Sequence, residues 1–186
     1  MILEGRERLR SNCTQTLQGW TATDTEQERL RRRYLAHLAE RVDGWSRTCP
    51  GAHLTASALI CTADPPRVLL TLHARIGRWL QTGGHIEASD ASLEAASLRE
   101  AVEESGLPEL TLAGPPVLLS EHEVPCGKVR PTFHLDVQYL AMAPAAQAPT
   151  FGAESLDVRW FAPDDLPEVD DSVRALVAAA EQRWAW

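Results

Sequence analysis

Residues Gly83–Leu107 read GGHIEASDASLEAASLREAVEESGL, and the division of this stretch into turn, loop and helix decides the fold. A glycine pair opens it and an acidic loop follows. From Ser92 to Ser105 the residues favour a helix that Gly106 is placed to end. Inside that helix Glu100, Glu103 and Glu104 stand at i, i+3 and i+4, so three carboxylates share one patch. Their repulsion weakens an isolated helix by roughly 0.2–0.5 kcal/mol per pair. A cation offsets that repulsion, and an all-oxygen donor set suits a hard ion, Mg²⁺ or Mn²⁺. Arg99 lies four residues before Glu103 and is spaced to hold its carboxylate in one rotamer. Leu98 and Val102, with Ala95 before them, form the stripe expected to face the core, which turns the acidic patch outward.

Outward from this segment the pattern is strand-like. HLTASALICTA (53–63) and RVLLTLH (67–73) are apolar, β-branched runs separated by Asp64-Pro65-Pro66, the signature of a hairpin or meander. ARIGRWLQTGGHIE (74–87) reads as a compact turn. After the helix, PVLLSEHEV (116–124), TFHLDVQYLAMA (132–143) and SLDVRWF (155–161) are further strands, with an Ala/Pro-rich loop over 143–149. A last helix follows Asp170, with Val173, Leu176, Val177 and Ala180 facing inward. Residues 1–50 are helical and polar. Thr23 or Asp24 caps a helix to about Ala39, with Leu30, Tyr34, Leu35 and Leu38 on one stripe and Arg31, Arg32 and Arg33 on a solvated side. Cys49-Pro50-Gly51 marks the boundary of the core. The expected organisation is a helical extension over 1–50 and one α+β domain over 51–186. In it about six strands form a mixed sheet, with one helix embedded among them and others flanking.

A chain of 186 residues buries a large enough core to fold without staples. The net charge of −8 opposes nucleic-acid polymers and anionic membranes as partners, and obliges any site for a phosphate compound to supply local cations. Cys13, Cys49, Cys61 and Cys126 lie far apart without zinc spacing and read as buried hydrophobes. The N-terminus, MILEGRERLR, has no apolar h-region, and no apolar run reaches membrane-spanning length, so a cytoplasmic location is expected.

The segment resembles the Nudix box, whose pattern is G-x5-E-x7-R-E-U-x-E-E-x-G-U with U aliphatic. Arg99 to Leu107 match its second half, and Gly84 its opening glycine. Asp90 stands where the family has glutamate, and eight residues instead of seven separate it from Arg99. Ala101 is a small occupant of the first aliphatic slot. The tryptophan of RWLQTGG and the DVRWF strand extend the similarity to roughly residues 52–167.

The resemblance implies a Nudix fold, a mixed sheet between helices (α/β/α). It also implies a divalent-metal-dependent hydrolase that cleaves a phosphoanhydride of a nucleoside diphosphate linked to another moiety. Nucleoside triphosphates, ADP-ribose and dinucleotide polyphosphates all fit that class. Carried onto this chain, Glu100, Glu103 and Glu104 are metal ligands, with the Gly83 carbonyl as a further one. Arg99, Glu103 and Glu104 belong to the catalytic group. Glu154, just before the last strand, is the loop candidate for general base. The alternative is a Nudix-fold nucleotide-binding or regulatory domain without catalysis. An isomerase of the same fold needs a cysteine signature that the surroundings of Cys61 lack. Arg78, Lys128 and Arg130 are weaker phosphate-contact candidates, and His122 and His134 are strand histidines expected to be packed. Trp79 is expected in the core. The first fifty residues either cap the cleft or make a homodimer contact.

Overall fold

The computed structural model describes residues 2–124, 129–150 and 155–186. Its sheet is built around β1 (Ala52–Ala63), which runs parallel to β7 (Thr132–Met142) in a register from Ala52↔Phe133 to Cys61↔Met142. On its other edge the first half of β1 pairs antiparallel with β4 (Thr82–His85), and its second half with β2 (Pro66–His73). β2 also carries β3 (Trp79–Leu80) and β8 (Ser155–Phe161). β7 carries β5 (Thr111–Leu112) and β6 (Leu118–Val124). One parallel pair among antiparallel ones makes the sheet mixed, as expected. Two of the additional strands, β3 and β4, arise from residues 74–87, which read as a turn. They are two and four residues long, too short for alternation to register in a sequence pattern.

Alternation along β1 divides the core. Leu54, Ala56, Ala58 and Ile60 face one side with α1 (Ile2–Gly19), α2 (Thr25–Glu40) and α3 (Leu93–Ser105). Leu59 and Cys61 face the other, against Val173, Leu176, Val177 and Ala180 of α4 (Asp171–Trp184). The result is the α/β/α arrangement, with the α4 stripe as the spacing predicts.

The α3 stripe differs from expectation. Its most buried residues are Leu93, Ala96, Ser97, Ala101 and Ser105, while Leu98 and Val102 pack at the margin. Small side chains bring the helix close to β1, and Ser97 Oγ donates to the Ser57 carbonyl at 2.9 Å. Large residues in that row would hold the helix away, so the hydrophobic count alone picked the neighbouring row.

The two helices of residues 2–50 pack onto the rest of the fold. Asp24 caps α2 by accepting from Gln27 N. The Gln27 side chain in turn bonds both main-chain groups of Leu119 on β6, donating to its carbonyl (3.0 Å) and accepting from its amide (2.7 Å). Tyr34 is fully buried and its hydroxyl donates to the Ser120 carbonyl at 2.7 Å. Within the basic run, Arg31 and Arg32 pair with Glu28, but Arg33 reaches across to Glu121 and lies over Phe133. The third arginine therefore ties α2 to the sheet, whereas the run as a whole read as a solvated face. Cys13, Cys49 and Cys61 are buried free thiols, as expected, and Cys126 lies outside the described residues. No described helix is long and apolar enough to cross a membrane.

Candidate metal and catalytic site

The helix that carries the carboxylates is held at both ends. Ser92 Oγ accepts from Ala95 N, and Asn12 Oδ1 of α1 accepts from Leu93 N at 2.9 Å, so two of the free N-terminal amides are satisfied. At the far end Gly106 adopts a left-handed conformation (φ 69°) and donates to the Val102 carbonyl, a geometry that a side chain would strain.

Arg99 is the hub of the acidic loop and helix. Its Nε and Nη2 each lie 3.0 Å from the two oxygens of Asp90, and Nη2 also donates to the His85 carbonyl at 2.9 Å. Nη1 bonds Glu100 at 2.9 Å and Glu103 at 3.0 Å. The Asp90 carboxylate is nearly buried and takes a further bond from the Glu87 amide at 2.8 Å. Hydrogen bonding to Asp90, against the cost of burial, holds the guanidinium pKa above its ordinary value. Asp90 thus fixes Arg99, and Arg99 fixes two of the three helix glutamates.

Glu100 packs against bare backbone. A Cβ built on Gly84 would lie 2.7 Å from its carboxylate, so any side chain there would displace that carboxylate from its present position. Burial pushes the Glu100 carboxyl above the usual carboxylate range, opposed by Arg99 and reinforced by Glu103. Glu104 accepts from the Gly83 amide at 3.0 Å. A Cβ on Gly83 would meet the Ser57 Cβ at 2.3 Å, so β4 also approaches β1 too closely for any side chain there. Glu103 is the most open of the three, with 58% of its side chain exposed.

Gly83, Gly84, Arg99, Glu100, Glu103 and Glu104 all line one cleft of about 800 Å³. The sequence-derived set is therefore brought together, apart from Glu154, which lies outside the described residues. Lys128 lies outside them as well. Arg78 and Arg130 are exposed and absent from the lining, while Trp79 packs edge-on against Phe161, 5.0 Å between ring centres. Among the described residues, the cations that do line the cleft beside Arg99 are Arg6 and Arg47, and Trp45 and Ser46 line it too. These four come from the first fifty residues. Nothing in their local pattern sets them apart from surface residues, and only tertiary packing brings them to the cleft.

The donor set fits a hard divalent ion. Three carboxylates lie on one helix face at the edge of a cleft, Gly84 keeps side-chain bulk away from Glu100, and the Gly83 amide holds Glu104.

The family model described as NUDIX domain matches residues 51–180. A hydrolase of the NUDIX family from Clostridium perfringens is 25% identical, covering 70% of this chain and 97% of that one with a TM-score of 0.59. A MutT NUDIX hydrolase from Burkholderia pseudomallei is also 25% identical, covering 69% and 97% with a TM-score of 0.51. The NUDIX domain of Shewanella oneidensis NrtR, solved with ADP ribose, is 24% identical over 70% of this chain and 86% of that one (TM-score 0.54). No curated relative matches the sequence. With the motif, the fold and a family match over most of its length in agreement, the chain belongs to the NUDIX family.

Proposed function

We propose that the chain is a divalent-metal-dependent hydrolase of a phosphoanhydride in a nucleoside diphosphate linked to a further group. The observation that carries this reading is the convergence of Glu100, Glu103 and Glu104 on one cleft that also contains Arg6, Arg47 and Arg99. Carboxylates to hold a cation and guanidiniums to meet phosphate oxygens are the two things a strongly anionic diphosphate needs from an acidic protein.

Glu100, Glu103 and Glu104 would hold the ion, with the Gly83 carbonyl as a further oxygen donor; Mg²⁺ or Mn²⁺ suits this set. When bound, such an ion neutralises diphosphate charge and makes water a better nucleophile near neutral pH. The chain's own groups do the positioning. Arg99 keeps Glu100 and Glu103 in fixed rotamers, and the Gly83 amide does so for Glu104. Arg6 and Arg47 orient phosphate oxygens at the mouth, and Trp45 lines the same wall. Glu103, the most exposed carboxylate, and Glu154, assigned from sequence, are the two candidates to take the proton from water. With four of its residues in the lining, the N-terminal extension serves as a wall of the cleft. ADP ribose, bound in one neighbouring structure, and Ap4A, the compound for which another hydrolase is named, share a nucleoside diphosphate, which supports the proposed substrate class.

A phosphate-release screen over nucleoside diphosphate derivatives with Mg²⁺ or Mn²⁺ tests the reading, run beside Glu103→Gln and Glu104→Gln. Turnover by the wild type and its loss in both folded variants is the expected result. Full activity in both variants, or none from the wild type on any compound, overturns it. Nucleotide binding without turnover would assign the chain to the non-catalytic alternative.

A further inference from the structure

Three histidines from three different strands meet at one end of the sheet. His53 on β1 and His134 on β7 are direct partners in the parallel register. His85 ends β4, paired with Thr55 two residues along β1 from His53 and so on the same face. The ring centres lie 5.2 Å (His53–His85), 4.8 Å (His53–His134) and 5.0 Å (His85–His134) apart. One nitrogen from each ring falls within 4.8 Å of the other two.

Packing alone is a poor explanation for this cluster. His53 is 1% exposed, and among the described residues neither of its ring nitrogens has a hydrogen-bond partner; the Nε2 of His134 is buried and unpartnered there too. The Cys49 main chain approaches His53 without reaching hydrogen-bond geometry. An unpaired buried donor or acceptor costs about 1–3 kcal/mol, and here three such atoms belong to two touching rings.

We propose that His53, His85 and His134 form a second metal site, distinct from the carboxylate site and selective for an imidazole-preferring divalent transition ion such as Zn²⁺. The chemical separation is clean. Three imidazole nitrogen donors suit Zn²⁺ and its neighbours, while the all-oxygen set on α3 suits Mg²⁺ or Mn²⁺. Zn–N bonds of roughly 2.0–2.1 Å in a tetrahedral site require donor atoms about 3.3 Å apart, so the rings close inward on binding. Rotation about the side-chain torsions supplies this motion while the sheet register stays fixed. The Cys49 carbonyl is then placed to accept from the remaining N–H of His53 and orient the ring, the usual outer partner of a metal-bound histidine. His85 also lines the cleft, and its carbonyl accepts from Arg99, so the proposed site borders the carboxylate site. Arg47 lines the same cleft.

The test needs no turnover, so its outcome is independent of the hydrolase reading. The full chain is stripped with a chelator, reloaded with Co²⁺ or Zn²⁺ in excess Mg²⁺, desalted, and assayed for bound metal and for the visible absorption of Co²⁺. The variants are Glu103→Gln, His134→Gln and His85→Gln, each checked for folding by near-UV circular dichroism. The wild type and Glu103→Gln are expected to retain one equivalent with the intense spectrum of a low-coordinate nitrogen site. The histidine variants are expected to lose at least tenfold in affinity. His85 is half-buried and lines the cleft, so His85→Gln decides the matter should His134→Gln fail to fold. A wild type that holds no Co²⁺ against Mg²⁺, or gives only the weak spectrum of six oxygen donors, overturns the site. So does unchanged affinity in His85→Gln, or loss of the ion in Glu103→Gln alone.

Discussion

Asp90 and Arg99 form a two-pronged ion pair, Nε to Oδ1 and Nη2 to Oδ2, both at 3.0 Å, across a junction one residue longer than the family pattern. The shorter aspartate and the longer loop arrive at the same hub. Asp90→Asn removes the charge and one acceptor while preserving shape. It is expected to cost about 1.5–3 kcal/mol of stability, since the bonds are charge-assisted and the carboxylate is nearly buried. Turnover should fall about 10–100-fold, as for other residues that orient a metal-bound group. Denaturant midpoints and initial rates on the two proteins check both figures. Activity equal to wild type would remove Asp90 from the positioning role.

The glycine pair separates stability from catalysis. Gly83→Ala forces a Cβ against Ser57 in the sheet, and overpacking of that kind costs about 1–3 kcal/mol. Gly84→Ala presses instead on the Glu100 carboxylate, which can swing aside. The melting temperature should therefore drop in Gly83→Ala, while Gly84→Ala stays near wild-type stability but needs more divalent ion for half-maximal rate. Metal titrations of activity beside thermal melts distinguish the two.

Gln27 covers the open side of β6 by satisfying both main-chain groups of Leu119. In Gln27→Ala these groups lose their partner, and a loss of about 1–3 kcal/mol is expected. The residue is remote from the carboxylate cleft, so kcat should be unchanged. Urea unfolding and a single saturating rate measurement suffice.

Acid should loosen the extension through His37. Its imidazole donates from Nε2 to the Gly44 carbonyl, which also accepts the Leu54 amide of β1. Burial lowers the His37 pKa below its ordinary value of 6.5. The unfolded chain therefore binds the proton first, and stability present above pH 6.5 is lost progressively as the pH falls toward the folded value. His37→Gln removes this contribution but leaves those of the other histidines. The decline in melting temperature from about pH 7 to pH 5 should be shallower in the variant than in wild type. Parallel slopes would contradict the assignment.

Much of the site was legible because its chemistry is local. Glu100, Glu103 and Glu104 share a face through helix geometry alone, and Ser92 and Gly106 mark the ends of that helix by their own conformational preferences. The apolar row was less legible. Ala96, Ser97 and Ala101 are buried because the helix lies close to β1, a distance that composition does not encode. Strands β3 and β4 were hidden for a similar reason, being segments whose pairing partners define them.

For the carboxylate site, the sequence by itself determined the face shared by the three glutamates, the glycine pair and the family, because these depend on spacing over one or two helical turns. Tertiary structure decided that Asp90 reaches Arg99 despite the added residue, and that Arg6 and Arg47 line the cleft beside them. It also decided that His53, His85 and His134 share one corner of the sheet. Those relationships are set by strand register and by the docking of α1 and α2, both long-range packing choices that no short window of sequence contains.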